Sequence, residues 1–339
     1  IPGGLAHTNI LGNTLFGSLS GSSVAASVAI GGVLIPMEEK EGYDKKFAAA
    51  VNIASAPTGL IIPPSGILII YPVLAGCSVV GMIMSGYIPG LMWALACMVV
   101  AYVIAKKNHY PTAGKVPASV FFKYFVDAIP SLLLIVIIVG GVMSGIFTAT
   151  ESAAVAVAYT LFLSIVVYRS IKIKDLPKIL LDACETTAVI MFLIAGSNVM
   201  SFVMSFTGLP SAIGNALISV SSNKYVILLI INLVLLVVGC FMDITPAVLI
   251  FTPIFLPVVQ SFGMDPIHFG IMMVMNLGIG NITPPVGSSL FSGCSVADMD
   301  MEDMIKPILP FYAAIFVALM LVAYVPWFSM ALPTLFGAV

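Results

Sequence analysis

The sequence predicts an all-α, polytopic membrane protein that is built from two repeats of inverted topology. Three observations predict this fold class: an apolar composition, a repeat of Pro and Gly positions at one fixed offset, and basic residues that cluster on one predicted side of the membrane. Of the 339 residues, 60% are hydrophobic and only 8% are charged, and the mean hydropathy is +1.15. A soluble domain of this length needs far more polar surface, whereas a helical bundle that faces lipid does not.

The composition also excludes several classes of function. A net charge of −2 provides no positive field for nucleic acid. The five cysteines stand singly, without the spacing of a disulfide framework or a metal site, and are interpreted as small apolar packing residues. Because the sequence begins at Ile1 rather than Met and carries no signal-peptide pattern, we expect it to be a fragment that lacks upstream helices.

Apolar stretches suited to full membrane spans occur at 45–72, 86–105, 129–147, 150–168, 187–206, 266–291 and 308–330. Two further stretches, 3–36 and 225–260, are interrupted midway by small or polar residues. They are predicted to be helical hairpins that enter the membrane and turn back, at 18–23 and 239–246 respectively. Mixed polar and apolar segments are predicted to be interfacial helices, at 117–127, 174–185, 209–221 and 298–306.

The thirteen lysines and arginines determine the predicted orientation. All but two lie in three clusters, at 40–46, 106–123 and 169–178. With these clusters in the cytoplasm, as the positive-inside rule requires, Lys224 lies outside and Lys306 lies inside. Twelve of the thirteen basic residues then share one side. This assignment requires the first hairpin to enter from the cytoplasm and the second from the opposite face.

An offset of 221 residues aligns the two halves of the chain without gaps. Pro63-Pro64-x-Gly66 falls on Pro284-Pro285-x-Gly287, and Ser22 falls on Asp243. Five more matches support the same offset: Pro36 with Pro257, Gly42 with Gly263, Asp44 with Asp265, Gly59 with Gly280, and Pro89 with Pro310. Pro and Gly fix backbone breaks and turns, so these matches predict equivalent breaks in both halves. Combined with the opposite entry of the hairpins, the offset predicts an inverted-topology repeat, which is typical of secondary transporters.

The repeat defines the predicted domains. The first repeat covers 1–105, with a hairpin at 1–36, a broken helix at 45–72 and a span at 86–105. The second covers 223–339, with a hairpin at 223–260, a broken helix at 266–291 and a span at 308–330. Residues 106–222 are predicted to be scaffold and linking helices.

Each Pro-Pro pair should unwind its helix near the middle of the membrane, because proline lacks an amide donor and leaves a carbonyl of the preceding turn without a partner. Such carbonyls, together with hydroxyls and a carboxylate from the facing hairpin, suit a small hard cation such as Na⁺. The candidate ligands are Ser20, Ser22, Gly59, Ile62 and Pro64 in the first repeat, and Gly239, Asp243, Asn281, Thr283 and Val286 in the second. No His or Cys spacing indicates a transition metal.

In each hairpin, backbone N–H groups at the start of the second helix, near Ser23 and Thr245, could hold a substrate carboxylate. Ser65 is a further substrate-binding candidate. The alternative for Ser20, Ser22 and Thr245 is that they only cap or pack closely spaced helices. Asp243 follows a strongly apolar stretch, and a buried carboxylate there costs at least ~2.5 kcal/mol. A structural hydrogen-bond role for Asp243 is the alternative.

Several motifs resemble the large membrane subunit of the tripartite ATP-independent periplasmic (TRAP) transporters. They are Gly17 to Gly32 around Ser20-Gly21-Ser22-Ser23, Gly42-Tyr43-Asp44, Ile62-Pro63-Pro64-Ser65, Tyr87-Ile88-Pro89-Gly90, Thr148-Ala149-Thr150-Glu151, Asp265 to Gly270 and Thr283-Pro284-Pro285-Val286-Gly287. The resemblance covers essentially the whole chain.

This resemblance implies a Na⁺-driven importer in the inner membrane of a bacterium or archaeon, in which a soluble periplasmic binding protein delivers an organic acid. It also implies a small four-helix membrane subunit as partner, no organic cofactor, and an elevator mechanism in which hairpins and broken helices slide against a scaffold. Sialic acid and C4-dicarboxylates are the substrate classes it suggests, with a slight preference for sialic acid that no residue decides.

Two other classes of protein fit the sequence less well. An ion channel could line a filter with discontinuous helices, but channels usually repeat subunits around an axis, whereas this chain has one inverted pair of breaks. A membrane-embedded enzyme would need a nucleophile with its base or a metal cluster, and the sequence offers neither.

Overall fold

A computed structural model describes residues 2–111, 118–141, 146–221 and 223–338, and within these ranges the regular structure is entirely helical. The chain divides into two compact units, one of Ile1–Ala113 with Val203–Val339 and the other of Gly114–Phe202. Within the described residues, six helical segments are long and apolar enough to cross a membrane: Val79–Lys107, Thr150–Val167, Ile173–Met204, Lys224–Phe241, Ile244–Ser261 and Met301–Tyr324.

The first half of the larger unit contains seven helices. They are α1 (Gly4–Ser20), α2 (Ser23–Lys40), α3 (Lys45–Ser55), α4 (Thr58–Ile61), α5 (Ile67–Ala75), α6 (Val79–Ser85) and α7 (Tyr87–Lys107). Helices α1 and α2 pack against each other and on α3 and α4. The turn between them is only Gly21 and Ser22, shorter than the predicted 18–23, because the small residues before Gly21 continue the helix.

The smaller unit consists mainly of an antiparallel pair of helices and one long helix. They are α8 (Ala118–Ile135), which runs into a π-helical turn at Val136–Gly140, α9 (Ala149–Phe162), which ends in another at Leu163–Val167, and α10 (Leu176–Thr207). Helices α8 and α9 are joined by two hydrogen bonds, from the Tyr159 hydroxyl to the Pro130 carbonyl (2.7 Å) and from the Ser152 hydroxyl to the Ile138 carbonyl (3.0 Å).

The second half of the larger unit repeats several helices of the first. It contains α11 (Leu209–Val220), α12 (Lys224–Phe241), α13 (Ile244–Ser261), α14 (Pro266–Gly280), α15 (Ser288–Val296), α16 (Met301–Tyr324) and α17 (Trp327–Leu335). The 221-residue offset converts the bounds of α2 into those of α13, and the bounds of α5 into those of α15. Asp44 and Asp265 also cap α3 and α14 in the same way, each accepting a hydrogen bond from the backbone N–H two residues on.

Three of the four predicted interfacial helices are wrong as separate elements. The structure continues the helix through each boundary, so that 118–127 is part of α8, 176–185 part of α10 and 301–306 part of α16, while 209–220 remains separate as α11; residue 117 of the first predicted segment lies outside the described residues. A change from polar to apolar composition does not end a helix, because each added residue gains a backbone hydrogen bond and each new end leaves several groups unpaired.

The two broken helices form the centre of the larger unit. Every residue from Phe47 to Ser55 in α3 is buried, and so is every residue from Ile267 to Gly280 in α14. The halves also pack against each other reciprocally: α2 contacts α15, and α13 contacts α5. Each hairpin therefore rests on the broken helix of its own half and touches the broken helix of the other half.

Candidate functional site

The turn between α1 and α2 lies against the break between α4 and α5. The Gly21 N–H closes the end of α1 on the Gly17 carbonyl at 2.7 Å, with Gly21 in the left-handed region at φ 63°. A Cβ atom added to Gly21 would lie 3.4 Å from the Gly66 nitrogen and 3.7 Å from the Pro64 carbonyl oxygen. The tip and the break are therefore so close that a carbon atom added at Gly21 would be in van der Waals contact with the break.

A glycine pair fixes the same contact one turn deeper. A Cβ atom added to Gly17 would lie 2.6 Å from the Gly59 Cα atom, closer than side-chain carbons approach backbone atoms. The second half repeats the arrangement, since a Cβ atom added to Gly280 would lie 2.5 Å from the Gly239 Cα atom. In both halves the backbone of the hairpin lies directly against the backbone of the helix before the Pro-Pro pair, which small residues permit in membrane bundles.

The tip of the second hairpin lies against the second break. The Val286 N–H donates to the Cys240 carbonyl at 3.1 Å, which joins the last turn of α12 to the residue that follows Pro284-Pro285. Both Pro-Pro peptide bonds, in the first and second breaks, are cis. Gly21, which lies between Ser20 and Ser22, is close to Pro64, and Gly239 lies beside Gly280 at the start of the segment that holds Asn281, Thr283 and Val286.

The serines of the first tip make local hydrogen bonds. The Ser22 hydroxyl accepts from the Ala25 N–H at 3.2 Å and caps α2. The Ser20 hydroxyl lies 3.4 Å from the Gly17 carbonyl and 3.3 Å from the Ser22 carbonyl, and it is exposed in the isolated chain. Capping is therefore one role of Ser22, while Ser20 closes only the turn itself.

In the first break, Gly59, Ile62 and Ser65 are buried and Pro64 is half-buried. Pro63 has no N–H to offer the Gly59 carbonyl four residues earlier, which is the reason for proposing that carbonyl as a ligand. The Ser65 hydroxyl is 1% exposed and has no hydrogen-bond partner. A buried hydroxyl without a partner costs free energy, so Ser65 is a suitable oxygen donor for a bound group.

The polar groups of the second break are more fully paired. The Thr283 hydroxyl donates to the Ile279 carbonyl at 2.6 Å. The Asn281 carbonyl accepts from the Ser289 N–H at 3.1 Å. The Tyr312 hydroxyl, from α16, donates to the Ile282 carbonyl. Tyr312 was not predicted, because its equivalent in the first half is Leu91 and the repeat gave no signal there.

A buried polar cluster connects the first hairpin to the second break. The Asn281 side-chain nitrogen donates to the Ser23 hydroxyl at 2.8 Å and to the Ser289 hydroxyl at 3.0 Å, and the two hydroxyls are 2.7 Å apart. The residues at the equivalent positions are apolar and buried: Ile244, Leu60 and Leu68. Ser23 is a predicted substrate ligand and Asn281 a predicted sodium ligand, and the structure places them in one cluster that also includes Ser289.

Asp243 differs from the expectation of a buried carboxylate. It occupies the N-cap position of α13, but its side chain makes no capping hydrogen bond and is exposed in the isolated chain. The expectation was wrong because an apolar sequence around a turn does not bury the turn residue itself. Thr245, in the first turn of α13, is half-buried.

Comparisons with known proteins agree with this architecture. Residues 1–328 match the family described as the DctM component of the tripartite ATP-independent periplasmic transporter. A Salmonella typhimurium protein named YgiK, described as uncharacterized, is 51% identical over 99% of this chain and 78% of its own length. The C4-dicarboxylate TRAP transporter large permease protein DctM of Pseudomonas aeruginosa and the sialic acid TRAP transporter large permease protein SiaM of Vibrio cholerae are each 38% identical, over 99% of this chain and 79% of their own lengths.

Proposed function

The chain belongs to the DctM family of large TRAP permease subunits, is a multi-pass protein of the inner membrane and not an enzyme, and we propose that it imports an organic acid with Na⁺ as the coupling ion. One observation supports this proposal most directly. Two hairpin tips each lie against a Pro-Pro break, in two halves related by a single offset. Paired discontinuous helices of this kind form the substrate and ion sites of many secondary transporters.

We place one Na⁺ site at each break. In the first, the oxygen donors are the hydroxyls of Ser20 and Ser22 with the carbonyls of Gly59, Ile62 and Pro64. In the second, they come from Gly239, Asp243, Asn281, Thr283 and Val286. The second site has a carboxylate where the first has a hydroxyl, because Asp243 is equivalent to Ser22. A carboxylate adds Coulombic attraction, so the second site should bind Na⁺ more tightly.

The proposed substrate is an acid whose carboxylate is held by the N-termini of α2 and α13. Substrate contacts are assigned to Ser23, Ser65 and Thr245. The chain has one arginine, Arg169, which lies in the smaller unit, so backbone N–H groups and hydroxyls must supply most of the recognition. The relatives named for C4-dicarboxylate and for sialic acid are equally similar to this chain, and both classes belong in the test.

The proposed partners are a small membrane subunit and a soluble periplasmic binding protein. For the transport step we propose an elevator movement in which the hairpins and broken helices travel together. The buried core supports this, because α2, α3, α5, α13, α14 and α15 are packed in one unit with reciprocal contacts between the halves. A single packed body moves more readily as a whole than in pieces.

Uptake into proteoliposomes tests this function. The chain is reconstituted with its small subunit and binding protein, and uptake of labelled sialic acid, C4-dicarboxylates and other organic acids is measured with and without an inward Na⁺ gradient. We expect saturable uptake of one acid that requires the gradient. Uptake that is independent of Na⁺, or unsaturable ion conductance, would contradict the proposal.

Replacing Ser20 and Ser22 together with alanine is expected to raise the Na⁺ concentration for half-maximal uptake several-fold. The reason is the loss of two oxygen donors from the first site. Ser22 also caps α2, and loss of a cap costs about 1 kcal/mol of stability. Ser22→Asn alone is therefore the control, because asparagine can still cap the helix. An unchanged Na⁺ dependence in the double variant would return both serines to a packing role.

A further inference from the structure

Glu38 is a buried carboxyl group that the transport sites do not use. It lies in the last turn of α2, outside the six candidate spans, and is 0% exposed. One side-chain oxygen accepts from the Asn9 amide at 3.4 Å, and the other has no hydrogen-bond partner. Ionised carboxylates are almost never buried without a cation or several donors.

Within the described ranges Glu38 forms no ion pair. The salt bridge found there joins Lys46 to Asp303 at 2.6 Å and does not involve Glu38. Helices α1, α3, α4 and α15 pack against α2. The titratable groups on these elements, on the remainder of α2 and on the following turn are His7, Glu39, Lys40, Glu41, Tyr43, Asp44, Lys45, Lys46 and Cys294. Tyr43, whose N–H donates to the Glu38 carbonyl, is itself buried.

Glu38 is the end of a buried polar chain that reaches toward the first break. The Asn13 side-chain nitrogen lies 2.9 Å from the Asn9 side-chain oxygen, 2.9 Å from the Asn52 side-chain oxygen and 3.0 Å from the Ser55 hydroxyl. All four of these residues are buried. The chain therefore connects the carboxyl group to α3, three residues before α4 begins.

The second half shows that the fold does not require this carboxyl group. The 221-residue offset places Glu38 on Val259, which is 0% exposed, and converts the asparagines to apolar residues: Asn9 to Ile230, Asn13 to Val234 and Asn52 to Met273. An apolar side chain fills the same place without a polar partner. The carboxyl group thus serves a purpose that packing alone does not explain.

Burial without a cation favours the neutral form of a carboxyl group, because the charged form loses its hydration. Burial raises the pKa of Glu38 to about 8, and the hydrogen bond from Asn9 lowers it slightly from a still higher value. The unfolded chain leaves the same group with a pKa near the ordinary value of about 4.3. Between these two values the folded protein holds one more proton than the unfolded chain.

We propose that Glu38 is a proton-binding site of the first hairpin, occupied at neutral pH and emptied under alkaline conditions. While the proton is bound, α2 packs on α1 and α3 with a neutral carboxyl group. Loss of the proton places an unpaired anion in that interface and weakens the packing. By linkage the stability that this group contributes is fully present below the unfolded-state pKa of about 4.3 and is lost as the pH rises from there through the folded-state pKa.

Infrared difference spectroscopy of the purified transporter tests the site without any substrate. The carbonyl stretch of a protonated carboxyl group is followed from about pH 6 to about pH 10, a range that brackets the proposed titration and excludes ordinary carboxyl groups. We expect the wild type to lose this band on alkalinisation and Glu38→Gln to show no such loss. A wild type without the band change, or an equal change in both proteins, would overturn the proposal.

Matched variants keep the test decisive. Glu39→Gln removes the exposed neighbouring carboxyl group and is expected to titrate like the wild type. Glu38→Val copies the second half and replaces Glu38→Gln if that variant does not fold. Asn9→Ala removes the hydrogen bond that stabilises the anion, so the band change should move to higher pH; an unmoved midpoint would count against the site.

A second measurement asks whether the proton matters for transport, and it depends on the proposed function. At a fixed Na⁺ gradient, wild-type uptake should decline severalfold as the pH passes the midpoint of the infrared change, while Glu38→Gln should remain active. An equal decline in both proteins would overturn a transport role for the proton. Absence of uptake in every protein at every pH would instead contradict the proposed function and leave the infrared result standing.

Discussion

Replacing Asp243 with alanine is expected to abolish Na⁺-driven uptake while the protein still folds and inserts in the membrane. Asp243 supplies the one carboxylate among the proposed ligands of both sites. At an effective dielectric constant of 20, a cation and an anion 4 Å apart attract by about 4 kcal/mol. Every 1.4 kcal/mol is about tenfold in affinity, so the second site should weaken about a thousandfold.

The structure explains why folding should survive this change. The Asp243 side chain makes no capping hydrogen bond and is exposed in the isolated chain. Its remaining contribution at the start of α13 is the interaction with the helix dipole, typically about 0.3–1 kcal/mol. A large functional effect with little loss of stability would therefore locate the defect in ion binding.

Uptake as a function of Na⁺ concentration is the measurement, accompanied by thermal unfolding. Asp300→Ala is the matched control, because Asp300 is also an exposed N-cap aspartate without a capping hydrogen bond, on α16. Asp243→Asn separates charge from size and should be nearly as inactive as Asp243→Ala. Normal Na⁺ dependence in Asp243→Ala would remove this residue from the proposed site.

The 221-residue offset reproduces several helix boundaries of the larger unit, those of α2 in α13 and those of α5 in α15. Helix boundaries depend on local signals, such as glycine after the last turn, a capping side chain before the first, and proline within a break. These signals lie in the sequence itself, and an offset that aligns Pro63-Pro64 with Pro284-Pro285 aligns the helices around them. The same reasoning failed where composition changed without such a signal, and α10 is continuous across that boundary.

Contacts between the halves could not be predicted in the same way. Ser23 and Asn281 are 258 residues apart and form a polar cluster whose equivalent positions are apolar. The repeat reveals residues that are similar at positions 221 apart. It gives no indication of a polar residue in one half whose equivalent in the other half is apolar. Glu38 was missed for the same reason, because it stands opposite Val259 and only tertiary packing shows that its carboxyl group is buried.

A single methyl group added at either glycine pair is expected to abolish uptake. Gly17→Ala tests the pair in the first half and Gly280→Ala the pair in the second. The added Cβ atoms would lie 2.6 Å from the Gly59 Cα atom and 2.5 Å from the Gly239 Cα atom. Backbone atoms cannot move aside as a flexible side chain can, so the hairpin must shift away from the break. Overpacking of this kind costs about 1–3 kcal/mol.

The effect on uptake should exceed the effect on stability, since a shifted tip separates the hairpin oxygens from the carbonyls of the break. Alanine is otherwise the better helix former, by about 1 kcal/mol, so any loss comes from the contact itself. Gly196→Ala, in the interior of α10 with no atom within 4 Å of the added Cβ, is the control and should unfold at the wild-type temperature or above. Thermal unfolding and Na⁺-dependent uptake are measured on all three variants. Wild-type uptake in Gly17→Ala and Gly280→Ala would show that transport does not depend on close contact between the tips and the breaks, and both proposed Na⁺ sites would then have to be rejected together.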